Sequence, residues 1–108
     1  MRWFPRSNRN SDEHCSYLAA GFQELEASIS YYESQQPGLG AAFLVEFKRT
    51  RERILELPKA ARLIRGDLRR RPVHRFPYSV IYRVSNDEIV IVAVAHRRRR
   101  PGFWRGRE

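Results

Sequence analysis

The sequence predicts a small α+β domain in which an antiparallel sheet carries a helical hairpin on one face. Three observations predict it. Two consecutive segments place apolar residues at helical spacing, with a proline and two glycines between them. From Leu68 onward the apolar period changes to two. The run Ile89-Val90-Ile91-Val92-Ala93-Val94-Ala95 is apolar at every position, as a central strand covered on both faces must be.

In chain order, residues 1–11 are polar and without period, and are expected to form a disordered leader ahead of a single domain at 12–108. A short strand is expected near His14-Cys15-Ser16-Tyr17-Leu18, although its alternation is poor. Leu18, Phe22, Leu25, Ile29 and Tyr32 then make one apolar stripe on a first helix. Gln35-Gln36-Pro37-Gly38-Leu39-Gly40 ends it. A second helix starts near Leu39, with Phe43, Leu44, Phe47, Ile54 and Leu57 as its stripe. Glu46, Lys48, Arg49, Glu52, Arg53 and Glu56 are assigned to its solvated face, where charges three and four apart support the helix. Glu52 and Glu56 have no histidine or second carboxylate pair beside them, so a metal or acid/base role is set aside. Pro58 stops this helix, and the short break makes the two helices an antiparallel pair.

Lys59 to Asp67 reads as a connector. Leu68 to Phe76 alternates as a strand, with Pro72 favouring an edge position. Tyr78 to Val84 and Ile89 to Ala95 form a hairpin through Ser85-Asn86-Asp87-Glu88, because Asn and Asp tolerate the backbone angles of tight turns. The expected order is βααβββ.

A chain of 108 residues supports one modest core. Its single cysteine, Cys15, excludes an internal disulfide. The N-terminus has no apolar signal-peptide core, and the longest aliphatic run is far below the roughly 20 residues a membrane helix needs. A cytoplasmic protein without a membrane segment is expected. The net charge of +9 is unevenly placed. Residues 1–58 hold seven Lys/Arg and eight Asp/Glu (−1), whereas residues 59–108 hold fourteen and four (+10). Only Lys48 and Lys59 among the 21 basic residues are lysines. A half this rich in arginine attracts polyanions and suits forked contact with phosphate or carboxylate.

A set of short motifs sharpens this picture. Glu24-Leu25 and Tyr31-Tyr32 lie on the first helix, and Gly38-Leu39-Gly40 with Phe43 at the break. Ile54 and Pro58 close the second helix. Arg75-Phe76-Pro77-Tyr78-x-x-x-Tyr82 and Val94-Ala95-His96-x-x-Arg99-x-Pro101-x-x-Trp104-x-x-Arg107 follow. In this order, over residues 16–107, the chain resembles the RelE/ParE superfamily of toxins from bacterial type II toxin–antitoxin systems, on the ParE side. The usual clean first strand is replaced by His14-Cys15-Ser16-Tyr17-Leu18. The resemblance implies a βααβββ fold, a cognate antitoxin as partner, no cofactor and no metal. It also implies one of two targets. ParE-like members inhibit DNA gyrase, whereas RelE-like members cut mRNA on the ribosome.

Each target asks for different residues. Metal-free RNA cleavage needs proton transfer and cations at the reacting phosphate. His96 is the candidate for the first, and Arg71, Arg75, Arg97 and Arg99 for the second. A gyrase inhibitor needs only a binding surface, for which Arg97, Arg99, Trp104 and Arg107 are the candidates. His74 reads as a rim residue, and Tyr78 and Tyr82 as core packing at strand period. Trp104 has a competing reading as a lid folded back on the core. The ParE-like reading ranks first and the ribosome-dependent endoribonuclease second. A non-toxic basic nucleic-acid-binding domain ranks third.

Overall fold

A computed structural model of the chain describes residues 14–107; the expected leader at 1–11 lies outside the described residues. The elements are β1 (Cys15–Tyr17), α1 (Ala19–Gln35), α2 (Leu39–Glu56), β2 (Arg62–Arg65), β3 (Leu68–Pro72), β4 (Tyr78–Ser85) and β5 (Glu88–His96). They form one five-stranded sheet in the order β1-β5-β4-β3-β2. Only the β1–β5 pair is parallel. The α+β architecture expected from the sequence is present, with the helical hairpin on one face of the sheet.

Three details differ from the sequence expectation. The connector at 59–67 contains β2, which pairs with β3 across a Gly66-Asp67 turn. Its four residues are mostly exposed and its ladder is broken by a bulge, so its period is too short to read. The strand expected over 68–76 stops at Pro72. Pro72 cannot donate to a ladder, and Pro77 biases Phe76 away from helical angles. The Val73 N–H instead donates to the Tyr78 carbonyl at 2.8 Å, and Arg75 takes a φ of 73° in the loop. Finally, Glu46 is buried rather than solvated, at 4% exposure. It lies three residues beyond Phe43 and so falls on the same helical face.

The turns follow local chemistry. Gly38, at φ 89°, turns the chain between the helices, and Gly40 sits where a side chain would collide with α1. The Glu33 carboxylate accepts the N–H groups of Gly38 (2.9 Å) and Gly40 (3.0 Å), so a side chain of α1 caps the start of α2. Asn86 and Asp87 both have positive φ, the pair of angles a two-residue β-hairpin requires.

The core on the helix face joins Leu25, Phe43, Phe47 and Ile54 to Val80, Tyr82, Ile91 and Val94. Phe43 is fully buried and lies 5.1–5.3 Å, ring to ring, from Tyr32, Phe76 and Tyr78. Three of the sequence motifs therefore meet in a single aromatic cluster. The Tyr82 hydroxyl donates to the Pro58 carbonyl at 2.6 Å and ties the end of α2 to the sheet. Burial holds its pKa above the ordinary tyrosine value, against the opposing pull of Arg69 and Arg71.

Candidate functional site

The sheet face away from the helices is where the arginines gather. A bulge prepares it. Ile81 pairs with Ala93 and Tyr82 with Ile91, so Val92 is the extra residue of β5. Val92 and Ala93 consequently both pack with Leu68 and Ile81 in a second apolar cluster. Phe103 and Trp104 fold back onto this cluster, so β5 is covered on both faces as its sequence demands.

The segment after His96 reaches that position through successive tight turns. The Arg97 N–H donates to the Pro77 carbonyl (2.8 Å), Arg99 N–H to His96 (2.9 Å) and Arg105 N–H to Gly102 (3.0 Å). Its end is locked by Glu24 of α1. Arg107 donates to the two Glu24 oxygens at 2.9 and 3.0 Å, in fork geometry. Glu24 also accepts the Val94 N–H at 3.1 Å, and Arg107 donates to the Val92 carbonyl at 3.3 Å. β1 pairs with β5 only as far as Ile91, so these side chains satisfy the strand edge that β1 leaves open. Arg99 reaches Glu24 at 3.5 Å and stacks 4.2 Å above the Phe103 ring.

Between this segment and β2–β3 runs a groove of about 420 Å³. Arg62, Arg65 and Arg70 line one side, and Arg97, Arg99 and Arg105 the other. Ile64, Ile81 and Trp104 form apolar lining, and His96 stands at the end of β5. A second cleft of about 540 Å³ is lined by Arg53, Arg71, His74 and Arg75. It shares Arg62 and Arg70 with the first. A third, of about 630 Å³ at the end of α2, is apolar, with Leu55, Leu57, Val84 and Ile89. Its charged lining residues are Lys59 and Asp87, of opposite sign, so the arginine groove is the better candidate site.

The residues singled out from sequence are dispersed over these features. Arg97 is exposed in the groove. Arg99 and Trp104 line it, but both also pack the C-terminal segment in place. Arg107 is engaged by Glu24, with only 20% of its side chain exposed. The trio His96, Arg71 and Arg75 is divided, with His96 in the groove and the two arginines in the second cleft. Arg75 leans on Glu46 at 3.6 Å. His96 Nδ1 accepts the Arg98 N–H at 3.1 Å, and its ring packs edge-on to Tyr78. That bond caps the end of β5 and leaves the neutral ring's proton on Nε2. Arg62 and Arg65 escape the sequence reading because β2 reads as a connector, and Arg70, on an expected strand, escapes it because its cross-strand partner Arg62 does. The one available signal was Gly66-Asp67, a two-residue turn between two short runs. Among the described residues, no group of three or more His, Cys, Asp or Glu could hold a metal ion, and no helix is long and apolar enough to cross a membrane.

The chain belongs to the ParE toxin family of the type II toxin–antitoxin system, parDE, whose family model matches residues 21–101. Among solved structures, one titled "Chromosomal ParDE TA system from P. aeruginosa" is similar with a TM-score of 0.61 and 20% identity. The match covers 76% of this chain and 92% of that one, and establishes likeness of fold. No curated protein sequence matches. The chain is thus a type II toxin by family, and the family implies an antitoxin partner.

Proposed function

We propose that this toxin acts in the cytoplasm by binding DNA gyrase and inhibiting it, and that a cognate antitoxin neutralises it. The observation that carries the reading is the arginine groove. It is a concave, strongly cationic surface without a carboxylate in its lining among the described residues, built for binding rather than for proton transfer. RNA cleavage requires a base, an acid and phosphate-binding cations around one phosphorus. Here the groove sets His96 beside Arg97 and Arg99, but His96 is the one acid/base side chain in its lining among the described residues, and Arg71 and Arg75 line the other cleft, which favours the gyrase reading over the ribosome-dependent one. Arg97 and Arg99 are the proposed target contacts, with Trp104 supporting the wall between them. Arg107 serves the target surface indirectly, by anchoring the segment that carries them.

The test is a supercoiling assay with purified gyrase. Inhibition at near-stoichiometric toxin is expected, with loss in an Arg97→Ala/Arg105→Ala variant and retention in His96→Ala. Unimpaired supercoiling alongside cleaved ribosomal mRNA, abolished by His96→Ala, refutes the reading. For the antitoxin, the exposed edge strand β2, with Leu63 52% exposed, offers backbone groups to an added strand. Tyr31 and Val45, also exposed, offer apolar contacts on the helical hairpin. Co-purification with the product of the adjacent gene is expected, and failure to bind it argues against the partnership.

A further inference from the structure

We infer that the toxin carries a binding track for single-stranded nucleic acid, running from the second cleft into the groove across the β2–β3 hairpin. This does not depend on gyrase being the target. The decisive residues are Arg62 and Arg70. They are direct cross-strand partners in the β2–β3 ladder, and both are exposed. Like charges placed opposite one another destabilise a strand pair, so this arrangement is a local cost that a bound anion relieves. The same two residues belong to both clefts. Arg53, Arg71 and Arg75 extend the track on one side, and Arg65, Arg97 and Arg105 on the other.

The geometry selects the ligand. No Asp or Glu lines either cleft among the described residues, so the ligand must bring negative charge at nearly every unit of its length. A phosphodiester chain does so by nature, whereas a peptide does so only as an unbroken acidic run. The track also turns from one cleft to the other around the short β2–β3 hairpin. A flexible single strand follows that turn, while a stiff duplex spans it. Trp104 and Phe103, half-buried in the groove lining, provide aromatic surface beside the charges.

The experiment is fluorescence anisotropy with the purified full chain and a labelled single strand of about 12 nucleotides. Its competitors are a duplex of equal length and an oligoglutamate peptide of equal charge. Affinity for the single strand should fall with salt at a slope of about 0.7 per phosphate contacted. Arg62→Ala/Arg70→Ala should lower that slope by about 1.4 and weaken binding about 25-fold at 0.1 M salt. Lys48→Ala/Lys59→Ala removes the same charge off the track and should change affinity by less than about twofold. Arg53→Ala/Arg97→Ala, on two other elements, should weaken binding comparably to Arg62→Ala/Arg70→Ala. The melting temperature of Arg62→Ala/Arg70→Ala without ligand should be unchanged or higher, because a like-charge pair is gone. Equal or tighter binding of the duplex or peptide overturns the inference. Equal weakening by the lysine variant, or a lowered melting temperature in Arg62→Ala/Arg70→Ala, overturns it as well.

Discussion

Glu24 is the residue whose loss should do most to undo the candidate site without touching it. Its carboxylate accepts four contacts, from Val94 N–H, both terminal nitrogens of Arg107, and Arg99. The side chains of Glu24 and Arg107 are 18% and 20% exposed. Glu24→Ala leaves the Arg107 guanidinium and the Val94 N–H without that acceptor. Exposed ion pairs contribute about 0–1 kcal/mol, and breaking a fully buried one costs about 3–5 kcal/mol. A four-fifths buried, doubly bonded pair belongs between them, at about 2–3 kcal/mol. For a domain of this size that is roughly 8–20 °C in melting temperature. Glu24→Gln keeps one acceptor for Val94 and should lose less, about 1–2 kcal/mol. The assay is urea and thermal unfolding of Glu24→Ala, Arg107→Ala and the double variant, as a cycle. Coupling above about 1 kcal/mol is expected, together with faster proteolysis after Arg97–Arg100 as the segment detaches. Coupling below about 0.5 kcal/mol, the additivity limit for independent sites, refutes the anchoring role.

Three further outcomes follow from the fold. Tyr82→Phe removes the bond to Pro58 and should cost about 1 kcal/mol by urea unfolding at neutral pH. Because the folded Tyr82 pKa is raised, its contribution is fully present below pH 10.0 and is lost as pH rises through the folded value. The alkaline decline in stability should therefore be shallower in Tyr82→Phe, with the remainder owed partly to Tyr32, whose pKa is also raised by burial. Gly40→Ala places a methyl 2.7 Å from the Ile29 carbonyl oxygen, which must force the helices apart. A loss of about 1–3 kcal/mol is expected, and a melting temperature equal to wild type contradicts the packing. Glu46 is buried yet meets Arg49 and Arg75 only at 3.4 and 3.6 Å. Glu46→Leu should be neutral or stabilising by up to about 1 kcal/mol, and a loss above about 2 kcal/mol would show that this ion pair matters more than its geometry suggests.

The fold class was legible in the sequence because each signal was local and periodic. The stripe of Phe43, Phe47 and Ile54 required a buried helix face, and the all-apolar run at 89–95 required cover on both sheet faces. The Asn86-Asp87 turn required only residues that tolerate positive φ. Two features escaped because their signals were short. β2 has four mostly exposed residues and a bulge, and Glu46 looks solvated by residue type although its spacing from Phe43 places it inside.

The site was less legible, for a different reason. Sequence located the charge in the second half of the chain and the motifs that identify a toxin, since both are properties of residue type and order. Which arginines meet could not follow from order, because it depends on pairing between distant segments. Arg62 faces Arg70 through a ladder, Arg97 faces both through a folded-back segment, and Arg107 is withdrawn by Glu24, 83 positions away. Composition and period determined a small, basic α+β domain, and the order of its motifs carried the resemblance to a toxin family. Only tertiary structure decided that Arg107 is engaged by Glu24 while Arg62, Arg70 and Arg97 line the groove, because chain order does not say which guanidinium folding brings within reach of a carboxylate.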